Sequence, residues 1–223
     1  MMNRRQFCLL TTAMLAVGTH AVSSAYAANK TKPSVKKAYI IHGFSASPND
    51  HWFPWLAARL AAEGLMVDNI ALPDSHNPDF NHWQAVLTEH IGQPQENDIF
   101  IAHSLGTISL LHYLSATHPA RIGGLILVAG FGAKLPALPM INGYDIDAYV
   151  EHAHIDFAAI RVMSPKIYSI ISTDDPIVEP SESLKLAKQL GSAIIRIPKG
   201  GHFLAENGFT ELPQAWQALK TML

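Results

Sequence analysis

Short apolar runs alternate along the chain with stretches whose apolar residues recur at helical spacing. An apolar run of about four to eight residues between turn residues is typical of a buried strand, whereas recurrence every three or four residues indicates a helix face. The predicted strands cover residues 38–41, 65–72, 99–102, 125–129, 166–172 and 193–197. The predicted helices cover a stretch capped by Asp50 that ends near Gly64, residues 83–91, a stretch from Leu105, residues 183–190 and residues 213–223.

The predicted strands are continuous apolar runs, which is typical of strands that are buried on both faces of a parallel sheet. Their alternation with helices predicts an α/β fold. We expect a three-layer sandwich with a mostly parallel sheet of about six strands. The alternation of strands and helices is interrupted between residues 135 and 160, where a proline-rich irregular stretch precedes one or two short helices. This segment is interpreted as a short cap over the strand ends.

The cap is expected to contribute apolar side chains to a pocket for a short acyl chain. The candidates are its apolar residues, of which some should pack on the domain: Leu135, Leu138, Met140, Ile141, Tyr149 and Phe157. Met140 and Tyr149 are the residues whose truncation should then change the preferred chain length. The alternative is that the segment only covers the sheet, in which case the same truncations would alter stability alone.

The first 27 residues have the pattern of an export signal rather than of a folded element. Arg4 and Arg5 precede an apolar segment, about residues 7–17, that is too short to span a bilayer comfortably. Ala25-Tyr26-Ala27 offers a small-residue cleavage site. We therefore expect residues 1–27 to be a signal peptide that resembles the twin-arginine type. An uncleaved N-terminal anchor is the alternative.

Residues 28–37 are predicted to be a linker, and residues 38–223 to form one domain that acts in the periplasm or outside the cell. No stable membrane association is expected after signal cleavage. Cleavage would also remove Cys8, the only cysteine, so the mature domain would need no disulfide and could hold no thiolate-bound metal.

The composition indicates a globular domain and argues against nucleic acid as a partner, but it does not identify the function. The chain has 223 residues, of which 48% are hydrophobic and 15% are charged, an ordinary composition for a globular domain. The 16 basic and 18 acidic side chains include no basic run, so nucleic acid is not an expected partner. The oligomeric state stays open.

Ser104 lies at the junction of a predicted strand and a predicted helix. The stretch Ala102-His103-Ser104-Leu105-Gly106 approximates the G-x-S-x-G nucleophile elbow, with alanine in place of the first glycine. Small residues are required there because strand and helix nearly touch. The elbow lifts the serine hydroxyl clear of the backbone. The alternative is an ordinary strand-to-helix turn with a capping serine.

Two further residues complete a candidate catalytic set. Ser104, Asp175 and His202 follow the third, fifth and sixth strands, and ligands of parallel sheets bind beyond these strand ends. Their order along the chain is that of the α/β-hydrolases. The imidazole would take the serine proton, and the carboxylate would fix its tautomer. Asp174 is the competing acid, with Asp175 preferred because Val178 follows it as an apolar anchor.

Tetrahedral intermediates need two backbone donors for their oxyanion. The amide of Leu105 is one candidate, and the amide of Phe44, in the loop after the first strand, is the other. Gly43 would allow the close approach.

Several other histidines are given no catalytic role. His103 is predicted to pack and His42 to line the first loop. His152 and His154 are two apart and would face different ways on a helix, so no metal site is predicted. No cofactor is expected.

These motifs together resemble the small serine α/β-hydrolases of the retinoblastoma-binding protein 9 and YdeN-like family. The resemblance runs from about Lys37 to the C-terminus and rests on the segments 41–44, 50–56, 102–106, 172–178 and 200–204. It implies Ser104, Asp175 and His202 as the triad, and a sheet that lacks the first strands of larger hydrolases.

The predicted function is hydrolysis of small esters, as by a carboxylesterase, through an acyl-serine intermediate. Peptidase activity is a variant of the same chemistry. A non-enzymatic binding or scaffolding protein on a hydrolase fold is the alternative from another class.

Overall fold

The computed structural model describes residues 36–223, so the predicted signal peptide and most of the predicted linker lie outside the described residues. The strands are β1 Lys37–Ile41, β2 Met66–Ile70, β3 Ile99–His103, β4 Gly124–Val128, β5 Met140–Ile141, β6 Tyr144–Asp145, β7 Ile167–Ser172 and β8 Ala193–Ile197. The helices are α1 Phe53–Ala62, α2 Phe80–Ile91, α3 Leu105–Thr117, α4 Ile146–Glu151, α5 Phe157–Met163, α6 Pro180–Leu190 and α7 Pro213–Lys220.

Six parallel strands form the central sheet in the order β2-β1-β3-β4-β7-β8. Successive side chains of a strand point to opposite faces. In β3, Phe100 and Ala102 accordingly join one apolar core with α2 to α6, whereas Ile99 and Ile101 join a second core with α1 and α7. The predicted three-layer α/β fold is confirmed.

Two predicted helix starts differ from the observed ones. Asp50 does not cap α1, because its carboxylate accepts hydrogen bonds from the amide and hydroxyl of Ser47 instead. The helix begins at Phe53, next to Pro54. Helix α2 begins earlier than predicted because the carboxylate of Asp79 accepts the amide of His82 and caps it.

The segment between β4 and β7 contains more structure than the sequence predicted. Strands β5 and β6 form an antiparallel hairpin whose turn is Asn142-Gly143, both at positive φ. An Asn-Gly turn is a strong hairpin signal, but strands of two residues give no readable apolar alternation. The predicted short helices are present as α4 and α5. Tyr149 of α4 is buried, and its hydroxyl contacts the Ser109 hydroxyl at 2.7 Å, so α4 packs firmly on α3.

Within residues 36–223, no helix combines the length and the apolar character that crossing a membrane would require.

Candidate active site

Ser104 occupies a sharp turn between β3 and α3. Its φ of +51° and ψ of −126° lie in a region that non-glycine residues rarely adopt. Strain of this kind clusters at functional sites. The amide of Ser104 donates to the Val128 carbonyl at 3.0 Å, whereas its hydroxyl makes no capping hydrogen bond to α3. The turn is therefore not that of a capping serine.

Two glycines permit the close packing around this turn. A Cβ on Gly106 would lie 2.3 Å from the His42 carbonyl oxygen, a distance that no side chain tolerates. A Cβ on Gly43 would lie 2.9 Å from both the His103 carbonyl oxygen and the Ser104 Cβ. The loop after β1 thus lies directly against the Ser104 turn.

A continuous hydrogen-bonded chain connects three side chains that are distant in sequence. The Ser104 hydroxyl lies 2.9 Å from His202 Nε2. The Nδ1 atom of His202 lies 2.9 and 3.0 Å from the two carboxylate oxygens of Asp175. All three side chains are buried. Ser104, His202 and Asp175 are therefore brought together as the sequence predicted.

The neighbouring carboxylate of Asp174 instead hydrogen-bonds the end of β7 and the loop after β8. It accepts hydrogen bonds from the Ser172 hydroxyl at 2.7 Å and from the Gly201 amide at 3.2 Å. The Ser172 hydrogen bond, above all, lowers the pKa of Asp174. Asp175 Oδ1 also accepts the amides of Ile177 and Val178, which fixes its orientation toward His202.

A cavity of about 230 Å³ opens onto the Ser104 hydroxyl. Its lining consists of Phe44, Ser45, His51, His103, Ser104, Ile141, Asn142, Ile177, His202, Leu204 and Glu206. Leu105 begins α3 and so has no intrahelical acceptor for its amide. Within residues 36–223, the amide of Phe44 likewise donates to no protein group. Phe44 lines the cavity, and Leu105 directly follows Ser104, which also lines it.

A family model described as serine hydrolase matches residues 38–221, nearly the whole of the described chain. The chain belongs to the serine hydrolase family. The family resemblance predicted from the sequence motifs is confirmed.

Two relatives carry the same YdeN name. YdeN of Bacillus subtilis (strain 168), named as a hydrolase, is 37% identical over 185 residues, which cover 82% of this chain and 94% of that protein. The crystal structure of the B. subtilis ydeN gene product has a TM-score of 0.78 and covers 84% of this chain and 98% of its own. A YdeN-like hydrolase structure from Pectobacterium atrosepticum is 20% identical, with a TM-score of 0.60 and coverages of 84% and 89%. That last likeness concerns the fold alone.

Two buried histidines of this hydrolase have structural partners. His103 Nε2 donates to the His202 carbonyl oxygen at 2.9 Å, which ties the Ser104 turn to the loop that carries His202. Burial, reinforced by the neighbouring His202 imidazole, lowers the pKa of His103 well below its usual value. His42 donates from Nδ1 to the Gly43 carbonyl and accepts the Leu72 amide at Nε2. His103 therefore does more than pack.

Sequence reasoning missed two residues near the site. The Asn207 side-chain oxygen accepts the amides of His202 and Leu204, at 3.2 and 3.3 Å, and so holds the His202 loop. His51 lines the cavity, but the sequence motifs included it only as part of the segment 50–56 and predicted no role for it. Neither residue lies at a strand end, where ligand-binding residues of parallel sheets are expected.

The expected cap contributes one of its predicted apolar residues, Ile141, to the cavity, together with Asn142. Ile141 and Asn142, at the tip of the β5–β6 hairpin, line the cavity. Met140 and Tyr149 do not: the former is 48% exposed and the latter lies in the core. The choice of Met140 and Tyr149 as pocket walls was wrong, because the strand pairing turns Met140 outward and α4 packs inward.

Among the described residues, no group of three or more His, Cys, Asp or Glu side chains is arranged to hold a metal ion.

Proposed function

We propose that this serine hydrolase cleaves small carboxylic esters through an acyl-Ser104 intermediate. The observation that carries the proposal is the buried Ser104–His202–Asp175 hydrogen-bonded chain at the floor of a cavity. His202 Nε2 takes the hydroxyl proton while Ser104 Oγ attacks the ester carbonyl carbon. The same Nε2–H then protonates the departing alkoxide, which leaves as an alcohol.

The second half of the cycle reverses these roles. Water gives a proton to His202 Nε2 and attacks the acyl carbon, and the carboxylic acid leaves as the Ser104 hydroxyl is restored. In both halves the amides of Leu105 and Phe44, which have no other acceptor among the described residues, would stabilise the negative oxygen of the tetrahedral intermediate. Asp175 keeps the His202 proton on Nδ1 and stabilises the imidazolium.

The size of the cavity favours short acyl groups. Each methylene that is buried contributes up to about 0.8 kcal/mol, so preference should rise with chain length until the 230 Å³ cavity is full. We expect an optimum between about C2 and C6, because longer chains would have to leave the cavity.

An active-site fluorophosphonate probe and a series of p-nitrophenyl esters test the proposal. Ser104 should be the labelled residue, as located by peptide mass spectrometry, and hydrolysis should be fastest for short acyl chains. Hydrolysis of peptides but not of esters would assign a peptidase. A folded protein that neither reacts with the probe nor hydrolyses any ester would instead be a binding protein on a hydrolase fold.

We also propose that the enzyme acts after export. Residues 1–30, fused to a fluorescent reporter, should carry the folded reporter into the periplasm, because a paired arginine motif precedes the apolar segment. Replacing Arg4 and Arg5 by lysine keeps the charge and should block transport. N-terminal sequencing of the exported protein should begin near Ala28, whereas an intact Met1 in the periplasmic fraction would indicate an anchor.

A further inference from the structure

Two titratable side chains of the cavity have no part in the ester cleavage described above. His51 and Glu206 both line the cavity beside Ser104. Most of the remaining lining is apolar or belongs to the Ser104 site. The two residues come from loops that are far apart in sequence, so their meeting at one wall is a property of the fold.

The side chain of His51 is held in one orientation. Its Nδ1 atom accepts the Ala205 amide at 3.0 Å, and its ring packs edge-on against Phe53, with ring centroids 5.5 Å apart. Its backbone adopts a φ of +53°, in the left-handed region. Histidine enters this region more readily than most residues, but still at a cost. An anchored ring with strained backbone is typical of a positioned functional group.

The hydrogen bond from Ala205 also fixes the tautomer of His51. Nδ1 is the acceptor and therefore carries no proton. Burial lowers the pKa of His51, although the charges of Asp50 and Glu206 oppose that effect. The neutral ring thus carries its proton on Nε2, and this N–H donates to no acceptor within the described part of the chain.

The alcohol half of a bound ester, rather than its acyl half, would lie next to this N–H. The departing oxygen must receive its proton from His202 Nε2, so the alcohol lies against the His202 loop. Ala205 and Glu206 follow His202 on that loop, and His51 is bonded to it. His51 and Glu206 therefore border the alcohol.

We propose that His51 Nε2–H and the Glu206 carboxylate form a subsite for a hydroxyl group on the alcohol half of the ester. This inference rests on the proposed esterase function. A hydroxyl can accept one hydrogen bond and donate another. It can therefore accept from His51 Nε2–H and donate to the Glu206 carboxylate at the same time. The substrate class is the short-chain monoester of a diol or polyol.

A matched pair of substrates tests the subsite. 2-Hydroxyethyl butyrate and propyl butyrate have alcohols with equal numbers of heavy atoms and give the same butyryl-enzyme, so they differ only at the terminal group. Butyric acid release, followed by pH-stat titration, gives kcat/KM for each. The wild-type enzyme should prefer the hydroxyethyl ester by about tenfold, which corresponds to about 1.4 kcal/mol.

Two substitutions at position 51 separate substrate binding from loop anchoring. In His51→Asn the amide oxygen can still accept the Ala205 amide, but no donor reaches the Nε2 position. In His51→Gln the side-chain amide can donate from near the Nε2 position, while the acceptor for Ala205 is lost. The hydroxyethyl/propyl ratio should fall to about one in His51→Asn and stay well above one in His51→Gln.

Two further variants complete the experiment. Glu206→Met removes the acceptor from an exposed position and should lower the ratio severalfold without unfolding the protein. His118→Asn is the matched control, because His118 is an exposed histidine that also adopts positive φ, outside the cavity. It should keep the wild-type ratio.

Several outcomes would overturn the subsite. A wild-type ratio near one would do so, and so would a ratio retained in His51→Asn but lost in His51→Gln, which would leave His51 as a loop anchor. Preference for butyrylcholine over its neutral analogue 3,3-dimethylbutyl butyrate, lost in Glu206→Met, would assign the wall to cations instead. If p-nitrophenyl butyrate is not hydrolysed and Ser104 is not labelled, the esterase proposal itself fails.

Discussion

Replacing Ser104 by alanine should reduce ester turnover about a millionfold, because the substitution removes the oxygen that is proposed to attack the ester. The side chain is buried, and within residues 36–223 the side chain that it hydrogen-bonds is that of His202. Alanine is smaller and is no less suited than serine to the positive φ of the turn. The fold should therefore be unchanged.

The measurement is the initial rate on p-nitrophenyl butyrate, together with circular dichroism and the melting temperature. Ser109→Ala is the control, since it changes a buried serine of α3 that bonds Tyr149 outside the cavity. That variant should retain turnover. More than a few per cent of wild-type activity in Ser104→Ala would refute the assignment of the nucleophile.

Replacing Asp175 by asparagine should cost about ten-thousandfold in kcat, through the wrong histidine tautomer. The amide oxygen of the new side chain can keep the hydrogen bonds from Ile177 and Val178. Its amino group then faces His202 Nδ1, where a carboxylate oxygen stood 2.9 Å away. Two donors cannot share that contact, so the His202 proton moves to Nε2. His202 can then no longer accept the Ser104 proton.

Asp174→Asn is the paired control for that experiment. Its carboxylate contacts the loops through Ser172 and Gly201 and does not contact His202. We expect a loss of less than about tenfold, which follows from loosening the loop. Steady-state kinetics on both variants decide between the two acids, and a larger loss in Asp174→Asn would mean that the wrong carboxylate had been chosen.

The main features of the fold could be predicted because local and long-range signals agree along most of the chain. Continuous apolar runs can be buried only in a covered sheet, and residues at strand ends then fall along one edge. This reasoning placed Ser104, Asp175 and His202 near one another although 27 residues or more separate each pair. The preference for Asp175 came from the spacing of Val178, whose amide donates to the Asp175 carboxylate in the structure.

The parts that could not be predicted depend on contacts between loops. The partner of His51 is an amide 154 residues away, and the spacing of apolar residues along the sequence cannot predict such a hydrogen bond. Asn207 likewise binds backbone amides of its own loop. A single asparagine in the sequence gives no sign of such hydrogen bonds. Met140 failed as a pocket residue because a hairpin of two-residue strands decided which side chains turn inward.

The order of the sheet has a consequence for how the enzyme matures. Every neighbouring pair in β2-β1-β3-β4-β7-β8 is parallel, so each pairing closes a long loop before it gains any stabilisation. Such non-local pairing makes folding slow. The proposed nucleophile is carried by the third strand and its base by the loop after the last, so a nascent chain is inert until its C-terminal quarter has docked. During refolding, activity should therefore be regained only after the last strand has paired. A transport route that carries folded proteins would let this slow folding take place in the cytoplasm, before export.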